Sequence, residues 1–178
     1  MPKSARVTLG EGKFLRLVRE GRWEFAERTN ARGAVAVIAV TKDGRLVLTE
    51  QYRPAVGRRV IDLPAGLSGD IVGAEGEDQA VSALRELVEE TGYTAKRLKH
   101  VASCSSSPGL SSEVISYFLS RGVTKISDGG GVGHEQIEVH TPSLRTIKAW
   151  LSRQIALGKL IDAKVYLGLY FAQAAKVE

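Results

Sequence analysis

The stretch Asp78-Gln79-Ala80-Val81-Ser82-Ala83-Leu84-Arg85-Glu86-Leu87-Val88-Glu89-Glu90-Thr91, followed by Gly92-Tyr93, decides how the rest of the chain is read. Val81, Leu84, Leu87 and Val88 recur at helical spacing, no proline or glycine interrupts them, and Gly92 supplies a natural stop. The spacing predicts a helix over 78–91. Glu86 and Glu90, four residues apart, then project from one face with Glu89 beside them. Like charges at that spacing cost roughly a few tenths of a kcal/mol per pair, and Glu89 and Glu90 oppose the helix dipole by about 0.3–1 kcal/mol each. Three acids thus stand where a helix disfavours them, and a divalent cation would reverse the sign of every one of those terms. Carboxylates with no neighbouring cysteine or histidine suit hard Mg²⁺ or Mn²⁺ better than zinc. Taken alone, the three glutamates also read as a solvated acidic face partly neutralised by Arg85.

On the N-terminal side of this helix the pattern is β. Phe14–Arg19 and Trp23–Arg28 alternate apolar and polar residues around Glu20-Gly21-Arg22, which predicts a hairpin. Ala34–Val40 is an almost unbroken β-branched run, and Lys42-Asp43-Gly44-Arg45 turns it into Leu46–Glu50 as a buried hairpin. Val60-Ile61 reads as a short strand ending at Pro64-Ala65-Gly66. Beyond the helix, Val101-Ala102 and Val114–Leu119 read as strands separated by Ser105–Gly109. Glycines 129, 130, 131 and 133 read as a flexible loop, Ile137–His140 as a strand, and 143–157 and 162–175 as helices. The expected fold class is α+β, an α/β/α sandwich of a mixed sheet flanked by helices, in one domain over 1–178 with an N-terminal β segment at 1–33 and a core at 34–178.

Of the 178 residues 43% are hydrophobic and 25% charged, the balance of a water-soluble globular chain. No apolar run reaches eighteen residues and no hydrophobic signal core follows Met1, so a cytoplasmic protein without a membrane partner is expected. A single cysteine, Cys104, excludes an internal disulfide or a multi-cysteine zinc cage. The net charge is +5, yet six acids and one arginine lie between Glu75 and Glu90, so the rest of the chain is markedly basic. That distribution suits a metal site facing an anionic substrate. With 6% aromatic residues and scattered basic ones, the chain carries no mark of a nucleic-acid binder.

Glu77, seven residues, then Arg85-Glu86-Leu87-Val88-Glu89-Glu90-Thr91-Gly92-Tyr93 resembles the second part of the Nudix hydrolase signature in full. The signature glycine, expected six positions before Glu77, would fall on Ile71; if Gly66 fills the role, the intervening loop holds ten residues, not five. The resemblance implies metal binding, with Mg²⁺ first and Mn²⁺ as the substitute, by Glu86, Glu90, often Glu89, and the carbonyl of Ala65. Arg85 would orient an acid. Glu50-Gln51-Tyr52-Arg53-Pro54, Leu63-Pro64-Ala65-Gly66, and Ser107-Pro108-Gly109 with Glu113 are similar to the branch that cleaves ADP-ribose and nucleotide sugars. By that likeness Arg53 would meet the diphosphate, Glu113 a sugar hydroxyl, Pro108 and Gly109 would shape the substrate site, and Trp23 and Arg28 would wall the base from a homodimer's partner. Relatives hold two acids in the glycine-rich loop; here only Glu135 fits, the earlier position being Gly133, so Glu135, Glu89 and His134 are the candidates for general base. The expected function is Mg²⁺-dependent hydrolysis of nucleoside diphosphate sugars, ADP-ribose first. GDP-mannose or another NDP-hexose, a nucleotide-sensing module with weak catalysis, and an RNA-end hydrolase stay open.

Overall fold

The computed structural model describes residues 5–71, 73, 76–133 and 135–174. The chain runs through β1 (Arg6–Glu11), β2 (Leu15–Glu20), β3 (Trp23–Arg28), β4 (Gly33–Thr41), β5 (Leu48–Arg53), β6 (Arg58–Asp62), β7 (Ala65–Ser68) and α1 (Gln79–Thr91). There follow β8 (Tyr93–Thr94), β9 (Lys99–Ser105), β10 (Val114–Lys125), β11 (Glu138–His140), α2 (Ile147–Ala156), β12 (Leu160–Ile161) and α3 (Ala163–Gln173). Strands β1, β2 and β3 form an antiparallel meander, so the expected N-terminal hairpin gains a third strand. A second sheet runs β7-β4-β10-β8 with β9 also on β10, and a third runs β11-β5-β6-β12. Both of the larger sheets are mixed, since β4 lies parallel to β10 and β12 parallel to β6.

The unbroken apolar run of β4 has a physical reason: both of its faces are covered. Val35, Val37 and Ala39 meet Ala83 and Leu87 of α1, whereas Ala36, Ile38 and Val40 join Leu63, Val165 and Leu169 on the other side. A strand buried on both faces needs no polar alternation. Gly168 of α3 lets the helix approach Leu63 and Ile38 closely.

Several sequence expectations change. The turn after β4 forms, with Gly44 at φ 74° and Thr41 N–H donating to the Arg45 carbonyl at 2.9 Å, but the hairpin pairs only near the turn, through Val40 and Leu46. β4 already has β7 and β10 as neighbours, so β5 leaves for the third sheet. Pro64 ends β6, yet the chain resumes as β7 against β4. Helix α2 starts at Ile147, because Ser143–Thr146 is a turn. Helix α3 begins after Asp162, whose side chain accepts from Lys164 N–H; residue 175 lies outside the described residues. Among the described residues, no helix is long and apolar enough to cross a membrane.

Candidate functional site

Helix α1 is fixed at both ends by its own sequence. Asp78 caps the start by accepting from the Ala80 N–H at 2.7 Å, and Gly92 ends it at φ 71°. Beyond that stop, the glycine-rich segment folds back onto the last turn. Gly130 N–H donates to the Glu90 carbonyl at 2.9 Å and Gly131 N–H to the Glu89 carbonyl at 3.0 Å, satisfying acceptors that a helix end leaves open. A Cβ on Gly129 would overlap the Thr91 backbone, and one on Gly92 the Ser127 carbonyl. The segment expected to be flexible is therefore a fitted cap, and it carries Glu135 to the carboxylate face. There the Glu135 carboxylate accepts from the Val132 N–H at 3.1 Å.

Glu86, Glu89, Glu90 and Glu135 line one cavity of about 420 Å³, together with Ala65, Gly66 and Arg85. Glu90 is only 7% exposed, and its carboxylate accepts from the Ala65 N–H at 3.0 Å. Burial pushes Glu90 up to about 8 against that hydrogen bond, and the charges of Glu86, Asp62 and Glu135 add to the rise. Burial likewise pushes Glu86 up to about 7 against the pull of Arg85, with Glu89 and Asp70 adding. Gly66 sits directly on Glu86, and a Cβ there would overlap the carboxylate. Gly66 thus occupies a place against the helix where a side chain would displace the Glu86 carboxylate.

Arg85 does more than orient one acid. It pairs with Glu86 at 2.8 Å, Glu89 at 3.3 Å, Asp70 at 3.4 Å and Glu77 at 4.0 Å, and donates to the Leu67 carbonyl at 3.3 Å. Burial disfavours its charge, but the four carboxylates outweigh that and hold the guanidinium protonated. Glu77 in turn accepts from the Ser82 hydroxyl at 2.6 Å.

The other sequence candidates divide. Arg28, Arg53 and Glu113 line the same cavity, and Arg28 Nε donates to Glu113 at 2.6 Å, so two groups expected to act separately on substrate are paired. Trp23 does not line it: the ring is 59% exposed and starts β3, about 16 Å along the strand from Arg28 at the usual rise. Pro108 and Gly109 also lie outside its lining and form the turn in which Leu110 N–H donates to the Ser107 carbonyl at 2.9 Å. That turn holds the meander instead, through Ala26 N–H to the Leu110 carbonyl at 2.8 Å. His134 lies outside the described residues.

Sequence reasoning missed Gln51, Asp62, Asp70 and Lys164 in the cavity wall. Lys164 Nζ lies 3.0 Å from Asp62 and 2.9 Å from Asp162, and burial still pushes Asp62 up to about 6. Gln51, inside Glu50-Gln51-Tyr52-Arg53-Pro54, and Asp62, just ahead of Leu63-Pro64-Ala65-Gly66, carried a positional hint. A separate acidic group, Glu50 with Glu138 and His140, has ligand atoms within 4.8 Å of one another. Glu50 is fully buried and already neutralised by Lys159 at 2.7 Å and by Arg59; despite burial, these partners and His140 hold it down at about 2. Its charge is compensated, unlike that of Glu90, which has no ion-pair partner among the described residues. The hard oxygen donors of Glu86, lying on Gly66, and of Glu90, at the Ala65 N–H, fit a divalent cation.

A family model described as NUDIX domain matches residues 30–163. The chain is 38% identical over 104 residues to the methanol dehydrogenase activator of Bacillus methanolicus, covering 58% of this chain and 54% of that protein. It is 34% identical over 146 residues to an ADP-ribose pyrophosphatase of Bacillus subtilis strain 168, covering 81% and 76%. It is 29% identical over 170 residues to a GDP-mannose pyrophosphatase of Salmonella arizonae, covering 90% and 83%. The chain thus spans about half the length of the first of these relatives and more of the other two. A solved crystal structure of an ADP compounds hydrolase superposes with a TM-score of 0.67 at 18% identity, over 84% of this chain and 82% of that one, a likeness of fold.

Proposed function

The chain belongs to the NUDIX domain family, and from that premise we propose that it hydrolyses the pyrophosphate bond of nucleoside diphosphate sugars, giving a nucleoside monophosphate and a sugar phosphate. The observation that carries this reading is the convergence of Glu86, Glu89, Glu90 and Glu135 with Arg28 and Arg53 in one cavity: acids for metal and water, cations for a diphosphate. ADP-ribose is the first substrate, given two relatives that bear that activity in their names at 34% and 30% identity over 81% and 80% of this chain.

Glu86 and Glu90, with Glu89 and the Ala65 carbonyl, would hold Mg²⁺, with Mn²⁺ as the substitute. When bound, such a cation neutralises the diphosphate and acidifies a water. Arg85 holds Glu86 and Glu89 in direction through its ion pairs at 2.8 and 3.3 Å. Arg53 offers a planar fork to the diphosphate oxygens. Glu135, held by the Val132 N–H, takes the proton from the attacking water, with Glu89 as the second candidate for that role. Substrate entering between Arg28 and Glu113 exchanges their ion pair for contacts to its phosphate and hydroxyl groups. Trp23 reaches a base only in a homodimer, from the partner's meander. The single domain over 1–178 would then work as a two-fold pair.

Purified protein tested with ADP-ribose, ADP-glucose, GDP-mannose and a nucleoside triphosphate, with and without Mg²⁺, is the decisive screen. Metal-dependent turnover of a nucleotide sugar is expected. Preference for the triphosphate would refute the substrate class, and saturable ADP-ribose binding without turnover under any divalent ion would make the chain a sensor.

A further inference from the structure

The ten residues between Gly66 and Glu77 are twice the number in the family pattern, and the described residues 68–70 make contacts with the rest of the chain. The Ser68 carbonyl accepts from the Arg32 N–H at 2.9 Å, Gly69 turns at φ 73°, and Asp70 then brings its carboxylate to 3.4 Å from Arg85. Between this loop and the linker that joins β3 to β4 lies a second cavity of about 350 Å³, lined by Thr29 to Arg32 and by Gly69 to Ile71. Asp70 lines both this cavity and the catalytic one, and its carboxylate reaches Arg85.

We propose that this second cavity is the subsite for the sugar carried on the distal phosphate. The inference rests on the nucleotide-sugar reading and adds where the sugar goes. Among the described residues, the lining has no aromatic ring on which a base could stack. It has instead a carboxylate to accept from sugar hydroxyls, the Asn30 amide to donate and accept, the Arg32 guanidinium to donate, and the half-exposed apolar surface of Ile71 for a ring face. The side chains of Asn30 and Arg32 have no hydrogen-bond or ion-pair partner among the described residues, so both are free to engage a ligand. Asp70, tied to Arg85, couples occupation of the subsite to the carboxylate cluster.

The test uses Arg32→Ala and Asn30→Ala, with ADP-ribose and the β-methyl ester of ADP, in which a methyl group replaces the sugar. A lost charge-assisted hydrogen bond is worth about tenfold or more in affinity. Arg32→Ala should raise KM for ADP-ribose about tenfold with kcat within about twofold, and raise KM for the methyl ester less than about twofold. Calorimetry with ribose 5-phosphate should show the same loss, while inorganic phosphate binds alike to both proteins. Equal KM increases for both substrates, or unaltered ribose 5-phosphate affinity in both variants, would overturn the subsite. If the native protein cleaves no nucleotide sugar, the hydrolase reading falls, and calorimetry alone decides: ribose 5-phosphate binding weakened by Arg32→Ala sustains the subsite, and unchanged or undetectable binding ends it.

Discussion

Glu90 shows what it costs a fold to keep a carboxylate ready for a cation. Its ordinary value is 4.5, and in the folded chain burial raises it to about 8. Between those values the folded protein binds a proton that the unfolded chain has released, so the contribution of Glu90 to the stability of the metal-free protein is full below about pH 4.5 and is lost as pH rises through about 8. Glu86, raised to about 7, acts in the same direction. Melting temperatures of protein stripped with chelator should therefore fall between pH 5 and pH 8, by a few degrees on the scale usual for a chain of this size. Mg²⁺ should restore most of the loss at pH 8. Glu90→Gln should flatten the pH dependence, abolish the Mg²⁺ effect and lower kcat/KM by at least about a hundredfold; a pH-insensitive native melt would refute the argument. Gly66 tests the same pair of acids sterically. Gly66→Ala places a methyl group on the Glu86 carboxylate, which can swing away because it is the end of a side chain. Activity should drop about a hundredfold while the melting temperature changes little, and a folded, fully active variant would refute the cradle.

Helix α1 was legible in the sequence because its signals are local: an Asp cap, an apolar stripe, a Gly stop and glutamates at fixed spacing. The glycine-rich loop was not, since its conformation comes from carbonyls of α1 some forty residues earlier in the chain that the loop must satisfy. The same holds for β7, whose four residues become a strand only because β4 offers an edge, and for Lys164 and Asp62, which α3 and β6 bring together across about a hundred residues. Arg53, Arg28 and Glu113 were readable as residues, but the mutual pairing of the last two was not. If the loop is a fitted cap, its glycines should differ sharply. Gly133 has φ 65° and open space around a Cβ, so Gly133→Ala should cost only the left-handed penalty, about 1–2 kcal/mol. Gly129 has φ 70° and its Cβ would overlap the Thr91 backbone, which cannot swing aside, so Gly129→Ala should cost about 3 kcal/mol or more. Urea unfolding of the two variants would separate these cases; equal, small losses would mean that the loop is loose.

The molecule as a whole leaves the β1–β2–β3 meander lightly attached to the rest. Its ties across the boundary include the two backbone hydrogen bonds of Ala26 to Leu110 and Ser112 and the ion pair of Arg28 with Glu113. The register places Val7 opposite Arg19, on the face shared by Leu15 and Leu17, and all three apolar residues are more than 40% exposed. Scattered exposed apolar residues need no explanation, but Val7, Leu15 and Leu17 on one face of one small sheet form a patch that water disfavours and a symmetric partner would cover, while Trp23, opposite Glu20 by register, is exposed on the other face. A two-fold pairing through this face would set the partner's whole meander, with Trp23 on its other side, beside a cavity that Trp23 does not line in its own chain. The protein should therefore scatter light with about twice the 19.2 kDa mass of the chain. Leu15→Lys with Leu17→Lys should yield a folded monomer, and its KM for ADP-ribose should rise because each cavity loses the neighbouring ring. Trp23→Ala should raise KM similarly while the mass stays doubled. A native protein that is monomeric at assay concentration would refute the pairing, and an unchanged KM in the monomeric variant would confine Trp23 to the interface.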